Sequence, residues 1–212
     1  MKIMVEMIPS INAPTFEEVQ KRIRKIEPFA EWCHLDVTDG VFSTHPTWRT
    51  PADLAALKTR LRVEAHLMME EPERLISKWL VAPVSRVIVH VEAAKDMPLL
   101  ITKCQGAGIQ IGLAIRPDTS WEALVPWAEQ VDLLQILAVD PGPSGQQMNE
   151  GTIDKLVHLR KKYPQCRIEI DGGITLDTGS ILAKHGADIL VVGSAIFNAS
   201  DVEHAIREFE QL

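Results

Sequence analysis

The chain has 212 residues, of which 46% are hydrophobic and 24% charged, and its net charge is -7, which together suit one globular domain over residues 1–212. The acidic balance, without any Lys/Arg block, argues against a nucleic-acid partner, and three widely spaced cysteines argue against a disulfide framework or a zinc module. No apolar run approaches the ~20 residues that span a bilayer and residues 1–6 lack a signal-peptide core, so we expect a cytoplasmic protein with no membrane partner.

Strand-like and helix-like stretches alternate along the whole chain. The predicted strands are residues 2–8, 30–37, 61–68, 85–91, 109–115, 132–139, 167–171 and 188–192. Helical patterns lie between them, the first capped by Thr15 with Glu18 at capping-box spacing and another capped by Ser120. Eight such units predict an α/β protein, and in this length they fit a closed (β/α)8 TIM barrel better than an open doubly wound sheet, which the pattern leaves possible.

Charged residues occur on the inward faces of two predicted strands. Strand three carries Arg62 and Glu64, and strand seven carries Arg167 and Glu169, each pair two residues apart and therefore on one face. Buried charges are costly unless they are paired. The pattern predicts that these four residues form structural ion pairs inside the barrel.

Polar residues also collect at the carboxyl ends of the strands, where barrel enzymes carry their functional groups. His34 and Asp36 share one face of strand two, His66 ends strand three, and Asp171 ends strand seven. Together they form a mixed nitrogen and oxygen set suited to a divalent metal such as Zn²⁺, Mn²⁺ or Fe²⁺. His90 lies one strand further round, and we expect it to support the set or to be structural.

Glycines follow the last three strands and indicate a phosphate cradle. They are Gly142, Gly145, Gly172, Gly173 and Gly193, the last beside Ser194. A metal, two carboxylates and a phosphate cradle favour proton transfer next to the carbonyl of a sugar phosphate. The metal would polarise the carbonyl and neutralise an enediolate, while Asp36 and Asp171 would act on opposite faces of one carbon.

Seven short motifs follow one another along the chain. They are Pro9-Ser10-Ile11, His34-Leu35-Asp36-Val37-Thr38-Asp39-Gly40, His66-Leu67-Met68, His90-Val91-Glu92-Ala93, Asp140-Pro141-Gly142-Pro143-Ser144-Gly145-Gln146, Asp171-Gly172-Gly173-Ile174 and Gly193-Ser194-Ala195-Ile196-Phe197. Over nearly its whole length the chain resembles the ribulose-phosphate 3-epimerase family. The resemblance implies a phosphate-binding barrel of the ribulose-phosphate-binding type that forms homo-oligomers.

The resemblance also implies roles for particular residues. His34, Asp36, His66 and Asp171 would bind one divalent metal. Asp36 and Asp171 would be the acid/base pair that inverts C3 of a ketose phosphate, by default D-ribulose 5-phosphate and D-xylulose 5-phosphate. The residues that would contact the substrate or its phosphate are Ser10, His66, Met68, Gly142, Ser144, Gly145, Gly172, Gly173, Gly193 and Ser194.

Several positions depart from the family pattern and leave alternatives open. Thr38 and Leu137 replace methionines of the reacting centre, Arg116 replaces an asparagine, and Pro143-Ser144 replaces Phe-Gly. These changes favour two alternatives, an epimerase for another ketose phosphate such as a hexulose 6-phosphate, or a catalytically weak or silent sugar-phosphate-binding barrel. A decarboxylase or Schiff-base aldolase is disfavoured because no strand-end lysine is present.

The loop after strand two has also drifted from the family pattern. This loop, which contains Trp48, either covers the site or packs against a partner subunit.

Overall fold

The structure is a computed structural model that describes residues 5–212. Its eight parallel strands close into one barrel in which each strand pairs with the next and the last pairs with the first. The strands are β1 Glu6–Ile11, β2 Trp32–Thr38, β3 Arg62–Met68, β4 Val84–His90, β5 Gln110–Ile115, β6 Leu133–Leu137, β7 Ile168–Asp171 and β8 Ile189–Val192. The predicted (β/α)8 barrel is therefore confirmed, and the open sheet is wrong.

In the described chain, seven α-helices and three short 3-10 helices lie between the strands or after the last one. The α-helices are α1 Phe16–Ile26, α2 Ile76–Trp79, α3 Met97–Gly106, α4 Thr152–Lys162, α5 Leu176–Lys184, α6 Ser194–Phe197 and α7 Val202–Phe209. The 3-10 helices are Pro51–Ala56, Pro72–Arg74 and Trp121–Leu124. Among residues 5–212, none of these helices has the length and apolarity required to cross a membrane.

Local side-chain bonds explain where predicted and observed helices agree or differ. Thr15 caps α1 as predicted, since its Oγ1 accepts from the Glu18 N–H at 3.3 Å. Ser120 was predicted to cap a helix, but its hydroxyl donates to the Glu122 carboxylate and caps nothing. Only a 3-10 helix forms after it.

The first strand lies later in the chain than predicted. Its predicted residues 2–4 fall outside the described residues, and β1 continues through Pro9, which pairs with Val192 of β8. Pro9 therefore does not end the strand. This extension brings Ser10 into the barrel wall beside His34, its partner in β2.

The predicted interior ion pairs are only partly present. Glu64 and Glu169 are fully buried as expected, but their cationic neighbour is Arg86 of β4, which is 2% exposed. Arg62 is exposed and lies over the Trp32 ring, and Arg167 pairs with Glu6 near the surface. The predicted partners were wrong because Arg62 and Arg167 stand at the start of their strands, where a long side chain reaches water.

Trp48, in the loop after β2, packs inside its own chain. It is 7% exposed, its ring stacks on Phe16 at 5.2 Å between centroids, and its edge meets Trp79 at 5.9 Å. Its Nε1 donates to Asp53 at 2.9 Å. Trp48 therefore joins the loop after β2 to the outer helical layer of its own chain.

We expect Trp48→Ala to lower the free energy of unfolding by about 3–5 kcal/mol, because a large buried ring is lost and leaves a cavity. Trp48→Phe is the matched control, since it keeps an aromatic ring at this position but loses the hydrogen bond to Asp53. We expect it to lower the free energy of unfolding by about 1.5–3 kcal/mol. Urea unfolding measures both. Equal stability of the alanine variant and the native protein would contradict the packing described.

Candidate active site

The four side chains predicted to bind a metal lie together at the carboxyl ends of β2, β3 and β7. One ligand atom from each of His34, Asp36, His66 and Asp171 lies within 4.8 Å of all the others. His34 Nε2 is 3.2 Å from His66 Nδ1 and 3.3 Å from Asp36 Oδ1. Asp171 Oδ2 is 3.2 Å from His66 Nδ1 and 3.6 Å from His34 Nε2. The four atoms therefore face one common point.

This arrangement fits a divalent metal ion. Donor atoms held about 2.1 Å from a tetrahedral Zn²⁺ lie about 3.4 Å apart, close to the separations between these atoms. The mixed nitrogen and oxygen set also suits Mn²⁺ or Fe²⁺. In addition, His34 Nδ1 lies 2.7 Å from Glu64 Oε1, which leaves Nε2 directed at the common point, as in most metal-binding histidines.

The electrostatics of the cluster agree with a site for a cation. Burial alone would lower the pKa of His34, but Asp171, Asp36 and Glu64 raise that pKa well above its usual value. Burial would raise the pKa of Asp36, yet His34, His66 and Ser10 hold it below its usual value. The cluster therefore has an excess of negative charge, which a proton on His34 or a bound cation offsets.

A second polar layer lies beneath this cluster inside the barrel. Burial opposes ionisation of Glu64, but His34 and Arg86 outweigh it and hold the pKa of Glu64 at about 2. Burial and the charge of Glu64 raise the pKa of Glu169 well above its usual value, and Gln135 Nε2 donates to its Oε1 at 2.8 Å. Arg86 and Glu64 thus form an ion pair, and the raised pKa of Glu169 favours its protonated form.

Sequence reasoning missed Arg86. A signal was present, because Arg86 lies four residues before His90 in the predicted strand 85–91 and so shares its inward face.

His90 supports the cluster from the side, as expected. Its Nε2 is 2.8 Å from His66 Nε2, and the two rings stack at 5.0 Å. Burial lowers the pKa of His90 to about 4, so its ring is neutral near pH 7. Phe42 covers His90 at 4.7 Å, and the Arg116 guanidinium lies over the Phe42 ring at 4.6 Å. Phe42, rather than Trp48, is the aromatic cover of the histidines.

A cavity of about 50 Å³ opens above the cluster. Its lining includes Asp36, Asp171 and these predicted substrate residues: Ser10, Met68, Gly142, Ser144, Gly145, Gly172, Gly173, Gly193 and Ser194. His66 was also predicted to contact the substrate, but it is fully buried and does not line this cavity. The two aspartates, with 10% and 9% of their side chains exposed, are the members of the cluster that face the cavity.

The residues that depart from the family pattern differ in their relation to this cavity. Leu137 lines it, whereas Thr38 is fully buried and its hydroxyl donates to the His45 carbonyl. Arg116 is not part of the lining. Ser144, which stands where the family pattern has glycine, does not need the conformational freedom of glycine, because among the described residues Glu71 is the only non-glycine residue with positive φ.

Gly173 shows why the loops after β6 and β7 need glycine. Its φ is +69°, and an added Cβ would lie 2.4 Å from the Met148 N atom. Any side chain would therefore push the two loops apart. Gly142 has no such restriction, because a Cβ there would make only ordinary contacts at 3.9 Å.

A closed barrel with His and Asp side chains at its carboxyl end, beside glycine loops, defines an enzyme of the TIM-barrel class. The profile of the ribulose-phosphate 3 epimerase family matches residues 6–197. The chain belongs to this family and is an isomerase, so the resemblance drawn from its motifs is confirmed.

Individual relatives agree. Ribulose-phosphate 3-epimerase of Schizosaccharomyces pombe is 32% identical over 210 residues, which cover 96% of this chain and 92% of that protein. The Aquifex aeolicus protein of the same name is 33% identical over 216 residues, with 97% and 96% covered. Among solved structures, 3-hexulose-6-phosphate synthase from Salmonella typhimurium matches with a TM-score of 0.75 over 98% of this chain and 97% of that one. Its 19% identity indicates the shared fold alone.

The raised pKa of His34 predicts how stability depends on pH when a chelator has removed all metal. A group with a raised pKa in the folded state contributes stability that is fully present below its ordinary pKa, about 6.5 for His, and is lost as pH rises through the folded value. We therefore expect the Tm of the chelator-treated protein to fall as pH rises above neutrality. Calorimetry between about pH 6 and 9 measures this.

His34→Gln is the control for this prediction. It removes the titrating ring, so its Tm should change less over the same pH range. A native protein whose Tm stays flat, or rises, with pH in the presence of chelator would contradict the electrostatic description of the cluster.

Proposed function

We propose that the protein inverts C3 of a ketose phosphate, with D-ribulose 5-phosphate and D-xylulose 5-phosphate as the substrate pair. The observation that carries this proposal is the placement of Asp36 and Asp171. They come from β2 and β7, both line the cavity, and both direct an oxygen at the same cluster of imidazole nitrogens. The fully buried histidines have no access to the cavity.

In this proposal the four residues hold one divalent metal, Zn²⁺, Mn²⁺ or Fe²⁺. When bound, the ion supplies positive charge that polarises the substrate carbonyl and stabilises negative charge next to it. Although burial opposes ionisation, His34, His66 and Ser10 hold the pKa of Asp36 low, so Asp36 carries the negative charge that a proton acceptor requires; Ser10 Oγ donates to its Oδ2 at 3.1 Å. One aspartate removes the C3 proton and the other delivers a proton to the opposite face, which inverts the carbon.

The phosphate would lie at the end of the cavity formed by the glycine loops. A second, polar cavity of about 120 Å³ continues past Gly193 and Ser194 to Arg22 and Lys25 of α1. Arg22 is held by Glu18 at 3.0 Å, while Lys25 forms no ion pair within the described chain. Positive side chains at this end support the assignment of a phosphate group to it.

The alternative substrate, a hexulose 6-phosphate, rested on Thr38, Leu137 and Arg116. Of these residues only Leu137 lines the cavity. Only one of these three substitutions therefore changes the cavity wall. This supports the five-carbon substrate. The silent-barrel alternative rested on the altered loop after β6. Ser144 of this loop has no positive φ, and both Pro143, which lacks an N–H to donate, and Ser144 line the cavity.

The direct test is hydrogen exchange at C3 of ribulose 5-phosphate in deuterated water, with Zn²⁺, Mn²⁺ or Fe²⁺ supplied. The native protein should incorporate deuterium. Asp36→Asn and Asp171→Asn should each slow the exchange about 10²- to 10⁴-fold, the usual contribution of a general acid or base. Asp177→Asn, an exposed carboxylate in α5, is the matched control and should exchange at the native rate.

Absence of exchange by the native protein with each metal would overturn the epimerase proposal. If a ketose phosphate then bound without turnover, the catalytically silent barrel would be the correct description.

A comparison of ketose phosphates tests the substrate assignment separately. We expect kcat/KM to be at least about tenfold higher for ribulose 5-phosphate than for a hexulose 6-phosphate, the scale that one poorly accommodated carbon unit produces. Steady-state kinetics with both substrates measures the ratio. A higher kcat/KM for the hexulose 6-phosphate would assign the protein to the six-carbon alternative.

A further inference from the structure

Arg86 lies inside the barrel beneath the four-residue cluster, and no step of the proposed reaction uses it. It is 2% exposed and belongs to β4, whereas the cluster comes from β2, β3 and β7. We propose that Arg86 is a positioning residue that acts through Glu64 to fix the ring of His34, and thereby sets how tightly the cluster holds a divalent cation. The inference rests on the metal site of the proposed function.

Arg86 is itself held from three sides. Its Nε donates to Gln110 Oε1 at 3.0 Å, and its guanidinium lies 4.5 Å above the Trp32 ring. Its NH1 donates to Glu64 Oε2. A guanidinium with these contacts has a defined orientation and presents a fixed donor to one carboxylate oxygen.

Glu64 transmits this orientation to His34. Glu64 is fully buried and uses both oxygens, Oε2 toward Arg86 and Oε1 toward His34 Nδ1 at 2.7 Å. A carboxylate paired with Arg86 can only accept, so His34 must donate from Nδ1. The lone pair then lies on Nε2, the atom that faces Asp36, His66 and Asp171.

Arg86 also distinguishes Glu64 from a second buried acidic side chain, Glu169. Glu169 is also fully buried, and its Oε1 lies 4.0 Å from His34 Nδ1. Its Oε2 is 3.9 Å from Arg86 NH1 and has no hydrogen-bond partner among the described residues. The short contact of Arg86 with Glu64 favours Glu64 as the partner of His34. Without Arg86, Glu64 would lose the donor that holds its orientation, and Glu169 Oε1 is the next acceptor near His34 Nδ1.

The test measures Zn²⁺ affinity by competition with a chelator, so that it does not depend on turnover. We expect Arg86→Met to weaken Zn²⁺ binding about 10- to 100-fold, the usual effect of losing a group that orients a metal-binding histidine. Arg86→Lys, which keeps the charge, should recover part of the loss. The visible absorption of bound Co²⁺ should also change in Arg86→Met, because it reports the geometry of the ligands.

Arg160→Met is the matched control. Arg160 pairs with Asp188 and donates to the Gly186 carbonyl outside the cluster. Its loss should lower the Tm and leave Zn²⁺ affinity within about twofold of native, because it removes an ion pair without touching a ligand. If Arg86→Met does not fold, the double variant Glu64→Gln/Arg86→Met is measured in its stead, because it also removes the buried carboxylate that the single change leaves unpaired. It should still bind Zn²⁺ at least about tenfold more weakly.

Three results would overturn the inference. Native Zn²⁺ affinity in the folded Arg86 variant, or in the double variant, would show that Arg86 does not position His34. An equal loss of Zn²⁺ affinity in Arg160→Met would show that the weaker binding of Arg86→Met results from general destabilisation of the fold. Failure of the native protein to bind one Zn²⁺ would remove the metal site itself, and with it the proposed function, so the two failures are distinguishable.

Discussion

The balance of charge inside the barrel is the constraint on which the rest of the site depends. Asp36 and Asp171 at the mouth, and Glu64 below them, are held with little or no access to water. An isolated buried carboxylate is too unstable to persist, so each must meet a cation, a donor or a proton. Arg86 pairs with Glu64, burial and the charge of Glu64 favour the protonated form of Glu169, and the negative charge at the mouth suits a bound cation.

Closure of the sheet supplies the geometry that this balance requires. In a closed barrel every second residue of each strand points inward, and the carboxyl ends of all strands meet at one rim. His34 and Asp171 are 137 positions apart in the chain, yet Nε2 and Oδ2 are 3.6 Å apart because β7, β8, β1 and β2 are consecutive neighbours around the barrel. The polar layer beneath then fixes how each imidazole presents its nitrogen atoms.

The outer wall of the site has a different physical basis. Phe42 from the loop after β2 lies over His90 and, with Met68, Ala93 and Leu137, forms a small buried apolar cluster at the mouth. This cluster excludes water from one side of the histidines. The opposite side consists of glycine loops, where Gly173 allows a backbone approach that no side chain would permit.

The sequence by itself determined the barrel and the residues of the cluster. Alternating strands and helices repeat eight times, and the strand-end motifs of His34, Asp36, His66 and Asp171 are local patterns that survive without knowledge of distant contacts. The cap at Thr15 was likewise predictable, since its partner lies three residues away.

Only the tertiary structure decided which distant groups meet. Arg62 and Arg167 were the expected partners of the buried glutamates, but the register of β3 with β4 pairs Glu64 with Arg86, which lies near both glutamates. The loop that contains Trp48 was expected to cover the site or to meet a partner subunit. Phe42 of this loop lies over His90, while Trp48 packs against Phe16 and Trp79 in the outer layer. The physical reason is the same in each case: a residue's type and spacing set which face it occupies, while its partner depends on how strands far apart in sequence are aligned in space.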